Sequence, residues 1–400
     1  MANSDESTEK ALARRIRQRV IGRPQAFFAV TLPGLEPLCR AELAALPDAP
    51  GELAVDKGGI AFNGRLTACY QANLMCRTAT RILMRIARFK AMHFGTLERH
   101  VQAIDWSLYL QPDAAVAVQV SARQSKLYHS QAVAERIRQA VLERMSGSTP
   151  LPDEPPGRPS QNLYVRLHKD RVTLSLDSSG SPLYKRGLKT QGGPAPLRET
   201  LAAAALMLAG YDGRVPLCDP MTGSGTFALE AAMIRRQIPP GWYRSFAFTE
   251  WPGFREAHWH YLRAQAAPPA RPGPEPGIFA SDRSRTAVDL LQRVLTGSGL
   301  VEAVDLQRQD FFDLQGSKIS PDAGLVALNP PYGRRLGKPG TAPRLVGELL
   351  RKLQQDFRGW RVVMVLPEEH LLRQFPFAVT SHRVMHGGKP VWLAIGDLPS

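Results

Sequence analysis

Asp219-Pro220-Met221-Thr222-Gly223-Ser224-Gly225-Thr226 follows a short apolar run, Val215-Pro216-Leu217-Cys218, and precedes a helix-forming run, Phe227-Ala228-Leu229-Glu230-Ala231-Ala232-Met233. Strand, glycine loop and helix in that order form a βα unit of an open α/β sheet. Glycines at 223 and 225 permit a tight turn and a close backbone approach to a ligand, and a helix N-terminus presents its free N–H groups there. No Lys follows as in a Walker A loop, and the spacing is not the GxGxxG fingerprint. Alone, the loop reads as a nucleotide-type cofactor loop or an ordinary turn. The flanking Asp219-Pro220 and an Ala-rich helix over residues 196–210 favour the cofactor loop.

Three more strand ends follow. Ile278-Phe279-Ala280-Ser281-Asp282 ends in a carboxylate before a helix over residues 284–295. A carboxylate at that tip holds ribose hydroxyls in nucleoside-binding α/β folds; Asp282 is also placed to cap the helix, and the two roles are compatible. Val304-Asp305-Leu306-Gln307-Arg308 leads to Asp310-Phe311, where a polar group and a ring flank an adenine or the chain simply turns. Gly324-Leu325-Val326-Ala327-Leu328 runs into Asn329-Pro330-Pro331-Tyr332-Gly333. Ligands of open α/β sheets bind at the carboxyl ends of strands, so these segments are expected at one rim. Two prolines fix the backbone and remove two donors, leaving carbonyl oxygens and the Asn329 side chain. Those acceptors suit a planar exocyclic amine, which becomes nucleophilic only as its nitrogen pyramidalises. Tyr332 is placed to stack on an extruded base. The alternative is a Pro-rich turn after a strand.

The two segments resemble motifs I and IV of the class I S-adenosylmethionine-dependent amino-methyltransferases. Ser181-Pro182-Leu183-Tyr184-Lys185-Arg186-Gly187-Leu188 and Ala195-Pro196-Leu197-Arg198-Glu199-Thr200-Leu201-Ala202 resemble the approach to the methylase domain of THUMP-containing RNA methyltransferases. Residues 28–43, Gly58-Gly59-Ile60-Ala61-Phe62 and Lys126-Leu127-Tyr128-His129-Ser130-Gln131-Ala132-Val133 are similar to the N-terminal region of bacterial 23S ribosomal RNA guanine-N2 methyltransferases. The resemblance implies a Rossmann-like α/β class I methyltransferase domain over residues 184–400, with a mostly parallel sheet and a terminal antiparallel hairpin. An α+β ferredoxin-like and THUMP RNA-binding region over residues 25–180 precedes it. It also implies S-adenosyl-L-methionine as cofactor, with Asp219, Pro220, Thr222, Gly223 and Gly225 at its methionine end, Asp282 at its ribose, and Asp310 and Phe311 at its adenine. Asn329, Pro330, Pro331 and Tyr332 then hold the target base, with Asn329 touching the cofactor as well. The implied reaction is methyl transfer to guanine N2 in ribosomal RNA, without a metal.

This chain departs from the family in two places. Some members carry a second methyltransferase module; a chain ending at Ser400 is expected to be of the single-module form. Arg334-Arg335 stand where relatives often have an acidic residue. Three alternatives stay open: a transfer RNA guanine-N2 enzyme, a DNA adenine-N6 methyltransferase using the same tetrapeptide, and a catalytically silent RNA-binding or assembly protein. The THUMP-like region weighs against the DNA enzyme, and intact Asp219, Asp282 and Asn329 weigh against the silent protein.

Composition bounds the rest. A formal net charge of +15 on 400 residues favours a polyanionic partner. Arg123, Lys126, His129 and Arg136 are the candidate RNA contacts. Arg14, Arg15, Arg17, Arg19 and Arg23 mark residues 1–24 as a flexible basic lead, either solvated or touching RNA. Four cysteines without CxxC pairing read as free thiols in a reducing cytoplasm, and the nine His lack metal-ligand spacing. His258 and His260 beside Trp259 read as surface helix residues. No apolar stretch is long enough to span a membrane, and the polar start is no signal peptide. Strands are expected over residues 25–32, 81–89, 116–120, 163–167 and 172–176, helices over 35–46, 66–76 and 131–145, and a closing hairpin over 379–386 and 391–395 turning at Gly387-Gly388.

Overall fold

The computed structural model describes residues 2–146, 161–189, 197–268, 277–331 and 341–400. The chain forms two compact units, one from residues 1–31, 39–183 and 244–265, the other from residues 32–38, 184–243 and 266–400. The division is less linear than the expected break near residue 180. Residues 244–265 join the N-terminal unit because their aromatic side chains are buried there. Phe248 stacks on Tyr70 at 4.3 Å between ring centroids and meets Trp259 edge-on at 5.1 Å. His258 contacts Thr67 Oγ1 at 3.1 Å on the helix Glu256–Gln265, while His260 is exposed. In return, Leu32 and Leu35 lie in the core of the C-terminal unit.

The N-terminal unit is α+β, as expected. Its strands are β1 (Gln25–Thr31), β2 (Leu53–Asp56), β3 (Gly59–Gly64), β4 (Ala79–Lys90), β5 (Val116–Arg123), β6 (Gln161–His168) and β7 (Arg171–Asp177). They form one sheet in the order β2-β3-β1-β4-β7-β6-β5, antiparallel except between β5 and β6. Period-two alternation sends Phe27, Ala29, Ile82, Met84, Leu163, Val165, Leu174 and Leu176 to one buried face. The opposite face carries polar and basic side chains around an apolar patch of Phe28, Val30 and Leu83.

The expected flexible lead is a correction. Residues 2–16 form an α-helix that continues as a π-helix, Arg17–Ile21. Leu12, Ile16 and Val20 recur every fourth residue and form one apolar stripe; Ile16 and Val20 are buried. Arg15 is tied to Asp105, whereas Arg14, Arg17, Arg19 and Arg23 remain exposed.

The C-terminal unit holds β8 (Leu217–Asp219), β9 (Ile278–Ser281), β10 (Val304–Gln307), β11 (Leu325–Leu328), β12 (Arg361–Leu366), β13 (Val379–His386) and β14 (Lys389–Asp397). Their order is β10-β9-β8-β11-β12-β14-β13. The first five strands run parallel, and β14 lies antiparallel between β12 and β13. This is the class I methyltransferase sheet with its terminal hairpin. From β8 the chain builds outward through β9 and β10, then crosses back to place β11 on the other side of β8. The crevice between the carboxyl ends of β8 and β11 is therefore the topological switch point, where ligands of such sheets bind. All four cysteines are buried free thiols, and no helix among the described residues is long and apolar enough to cross a membrane.

Candidate cofactor and base site

The loop after β8 is built around a buried acid. Asp219 is 1% exposed, and its Oδ2 accepts from the Thr222 hydroxyl at 2.8 Å and from the Ala228 amide at 3.1 Å. One carboxylate thereby fixes both the loop and the first turn of the helix Thr226–Arg235. Gly223 and Gly225 have φ of +52° and +77°. A Cβ at Gly225 would stand 2.2 Å from Leu291 Cδ1, so this glycine lets two helices meet. At Gly223 a Cβ would meet nothing within 4 Å. It would project into open space at a helix N-terminus, where backbone approach to a ligand matters.

Burial pushes the Asp219 carboxyl up to about 7, against the opposing pull of its two hydrogen bonds. An unfolded Asp titrates near about 3.9. Between those values the folded state keeps a proton that the unfolded state has released. This group's contribution to stability is thus fullest at low pH and declines as pH rises toward 7. Asp219→Asn, which keeps an acceptor oxygen, should reduce the fall in melting temperature from about pH 5 to about pH 7.5. Identical slopes in variant and parent would remove this assignment.

Asp282 sits just past β9 and joins two loops. Its Oδ2 accepts from the Gly223 amide and its Oδ1 from the Ser284 amide, each at 2.9 Å. The cap of the helix Arg285–Ser298 is Ser284, whose hydroxyl accepts from Ala287 N at 3.4 Å. The simple capping role thus belongs to Ser284, and Asp282 props the glycine loop.

A cavity of about 360 Å3 opens against this loop. Asp219, Thr222, Gly223, Ser224, Ser284 and Asn329 line it, so the ends of β8 and β11 share one space. Asn329 is half-buried, Pro330 buried and Pro331 half-buried behind it. Pro220 is buried, its carbonyl oxygen accepting from Ser281 Oγ at 3.5 Å. Tyr332 lies outside the described residues.

Asp310 and Phe311 do not line this cavity. Asp310 Oδ1 accepts from Phe312 N at 3.1 Å and caps a single 3-10 turn. Phe311 is a correction: its ring is 1% exposed and stacks in the core on Phe357, 5.9 Å between centroids. A three-residue turn sends neighbouring side chains in different directions. The ring facing solvent is therefore Phe312, 42% exposed.

Lys189 was missed. Its Nζ lies 2.9 Å from Thr226 Oγ1, 3.5 Å from Ser224 Oγ and 3.3 Å from Glu199 Oε1. A cation at a helix N-terminus opposes the helix dipole unless an anion joins it. Glu199 already supplies that anion; of Lys189, Glu199, Asp219 and Asp282, only Asp219 lines the cavity. Lys189 stands at no strand end and in no recognisable spacing, so only its closeness to the upstream family segment could have flagged it.

Of the RNA candidates, Arg123, Lys126 and His129 are exposed along one stretch of the N-terminal unit. That stretch is pinned to the β6–β7 turn by Lys126 N donating to Asp170 Oδ1 at 2.8 Å and Asp170 N to Ser125 Oγ at 3.1 Å. Arg136 is exposed on the helix Ser130–Ser146 and pairs with Glu98 at 3.1 Å. Tyr128, 66% exposed with its ring 4.1 Å from that of His129, also belongs to this surface.

Comparison with known proteins agrees with this layout. Residues 186–386 match the RMKL-like methyltransferase domain, residues 26–83 the RlmL ferredoxin-like domain, and residues 92–177 the THUMP domain. The chain is 33% identical over 370 residues to a ribosomal RNA large subunit methyltransferase K/L of Methylococcus capsulatus, covering 90% of this chain and 50% of that protein. It thus spans about half the length of such curated relatives. A provisionally named RNA methyltransferase of Synechocystis is 30% identical, with 92% of this chain and 95% of that protein aligned. A provisionally named methyltransferase solved with S-adenosylhomocysteine superposes with a TM-score of 0.83 at 26% identity, over 94% of this chain and 99% of that one.

Proposed function

The chain belongs to the RMKL-like methyltransferase family, and on that premise we propose that it transfers a methyl group from S-adenosyl-L-methionine to the exocyclic N2 of a guanine in ribosomal RNA. The observation that carries this reading is the shared cavity, in which Asn329 from the end of β11 faces the glycine loop from the end of β8. The residues present fit the cofactor. Gly223 leaves a Cβ-sized space, the helix N-terminus suits its carboxylate, and buried Asp219 suits its ammonium. When bound, S-adenosylmethionine supplies an electrophilic methyl group on a sulfonium.

The chain's own residues supply orientation. The Asn329 side-chain oxygen and the Pro330 carbonyl accept from the target amine and favour the pyramidal nitrogen over the planar one. A planar amine is a weak nucleophile, so this is where the barrier falls. The proton leaves after transfer, and no strong general base is needed. Asp282 holds the glycine loop through the Gly223 amide and keeps lone pairs for ribose hydroxyls. Asp282→Ala should weaken S-adenosylmethionine binding measured by calorimetry and leave RNA affinity unchanged. A variant that melts earlier but binds the cofactor normally would limit Asp282 to the loop.

The substrate class is tested by supplying labelled cofactor with ribosomal RNA, transfer RNA and duplex DNA in separate reactions. Label in ribosomal RNA is expected. Label confined to transfer RNA or to DNA would overturn the substrate assignment while keeping the methyltransferase.

A further inference from the structure

The N-terminal unit's sheet has one helix-covered apolar face and one open face. Directly paired residues on adjacent strands point to the same side. On the open side, Ser175 pairs with both Arg85 and Tyr164, Thr173 with both Arg88 and Arg166, and His168 with both Arg123 and Arg171. The row crosses from the ferredoxin-like strands to the THUMP strands, with one register shift in β4 between Arg85 and Ala87. Arg88, Arg123, Arg166 and Arg171 are exposed along it. Asp56, 3.7 Å from Arg166, is an acid facing this excess. Burial holds Arg85 below its ordinary range, and the like charges of Arg88 and Arg166 add to the effect against Asp56. Asp177 lies on this side too, but it is fully buried and paired with Arg81, so the exposed charges along the row are predominantly basic.

Two planar groups punctuate the row. The Arg85 guanidinium lies over Phe28 at 4.5 Å and that of Arg81 over Tyr164 at 4.9 Å. Between them is a depression of about 310 Å3 reaching Gln119 and Ser121 on β5. The Arg81 guanidinium is held by Asp177 and the Gly180 carbonyl, whereas that of Arg85 lines the depression and offers the plane not covered by Phe28, on which a base stacks. Base stacking needs bases that are not already paired. A flat sheet also lacks the protruding helix or loop that reads the groove of a duplex.

We propose that this open face binds an unpaired stretch of RNA, with bases against Arg85 and Tyr164 and phosphates against Arg88, Arg123, Arg166 and Arg171. The choice of RNA as the polyanion rests on the function proposed above. Gln119, Ser121 and Thr173 supply polar partners for ribose hydroxyls along the same row.

The test is fluorescence anisotropy with the full chain, using a labelled oligouridylate and a labelled blunt RNA hairpin over a range of salt concentrations. Arg85→Gln combined with Arg166→Gln should weaken oligouridylate binding roughly tenfold or more and lower the logarithmic salt slope by about 0.7 for each phosphate left without its cation. Hairpin binding should change much less. Arg166→Gln alone, at an exposed position, guards against misfolding and should lower the slope by itself. Arg85→Lys keeps the charge but not the plane, and should bind more weakly with the slope retained. Equal losses for hairpin and oligouridylate, or none for either, would overturn the proposal. A chain that binds oligouridylate through this face yet methylates no RNA would overturn the proposed reaction and leave this surface standing.

Discussion

Asn329→Ala should lower turnover by about a hundredfold or more while cofactor affinity stays close to that of the parent. The reasoning lies in where its oxygen acts. Asn329 lines the cavity beside the glycine loop, half-buried at the end of β11, with buried Pro330 and half-buried Pro331 holding the turn. A rigid acceptor in a site with few competing donors stabilises the amine most as its nitrogen pyramidalises. Loss of one such preorganised partner typically costs about 3–4 kcal/mol of transition-state stabilisation. In the proposed site the cofactor would keep the Gly223 loop and Asp219, so its binding should be spared. Single-turnover rates with saturating cofactor, alongside calorimetry, make the check. Turnover near the parent level would take the clamp away from Asn329. Equal losses in both measurements would make it a cofactor residue only.

The second large effect concerns stability. Arg186 and Glu230 form a fully buried ion pair, with Nε–Oε1 at 2.8 Å and side chains 2% and 1% exposed. It ties the segment before the methylase core to the helix Thr226–Arg235 that follows the glycine loop. Removing one partner strands a charge in the interior at a cost of about 3–5 kcal/mol. Arg186→Met should therefore lower the melting temperature by roughly 10 °C for a unit of this size. The double variant with Glu230→Leu leaves no stranded charge and should recover much of that loss. Calorimetric unfolding of the three chains decides the matter. A single variant as stable as the parent, or a double variant no more stable than Arg186→Met alone, would contradict the account.

Much of the C-terminal unit was legible because its signals are local. Three of the parallel strands are short apolar runs closed by an acid or an amide, Asp219, Asp282 and Asn329, and the hairpin turns at a Gly-Gly pair. What stayed hidden depends on distant partners. Phe311 and Phe312 are identical letters in sequence; only packing against Phe357 decides which ring is buried. Lys189 gains its place from Thr226 and Glu199, far along the chain. Phe248 and Trp259 are drawn into the N-terminal unit by Tyr70, which no spacing announces. The helix at residues 2–16 was obscured by its charged surroundings, although the fourfold spacing of Leu12, Ile16 and Val20 was there to be counted. The basic face of the N-terminal sheet emerges only when strands from the ferredoxin-like and THUMP segments are set side by side.

The most direct test of the central claim is the identity of the product. Ribosomal RNA lacking its methylations would be incubated with the chain and labelled S-adenosylmethionine, digested to nucleosides, and the label followed by chromatography and mass spectrometry. The account predicts label in N2-methylguanosine, formed at least about a hundredfold more slowly by Asn329→Ala. Label in N6-methyladenosine or a methylated pyrimidine, or cofactor binding without any methylated nucleoside, would contradict it.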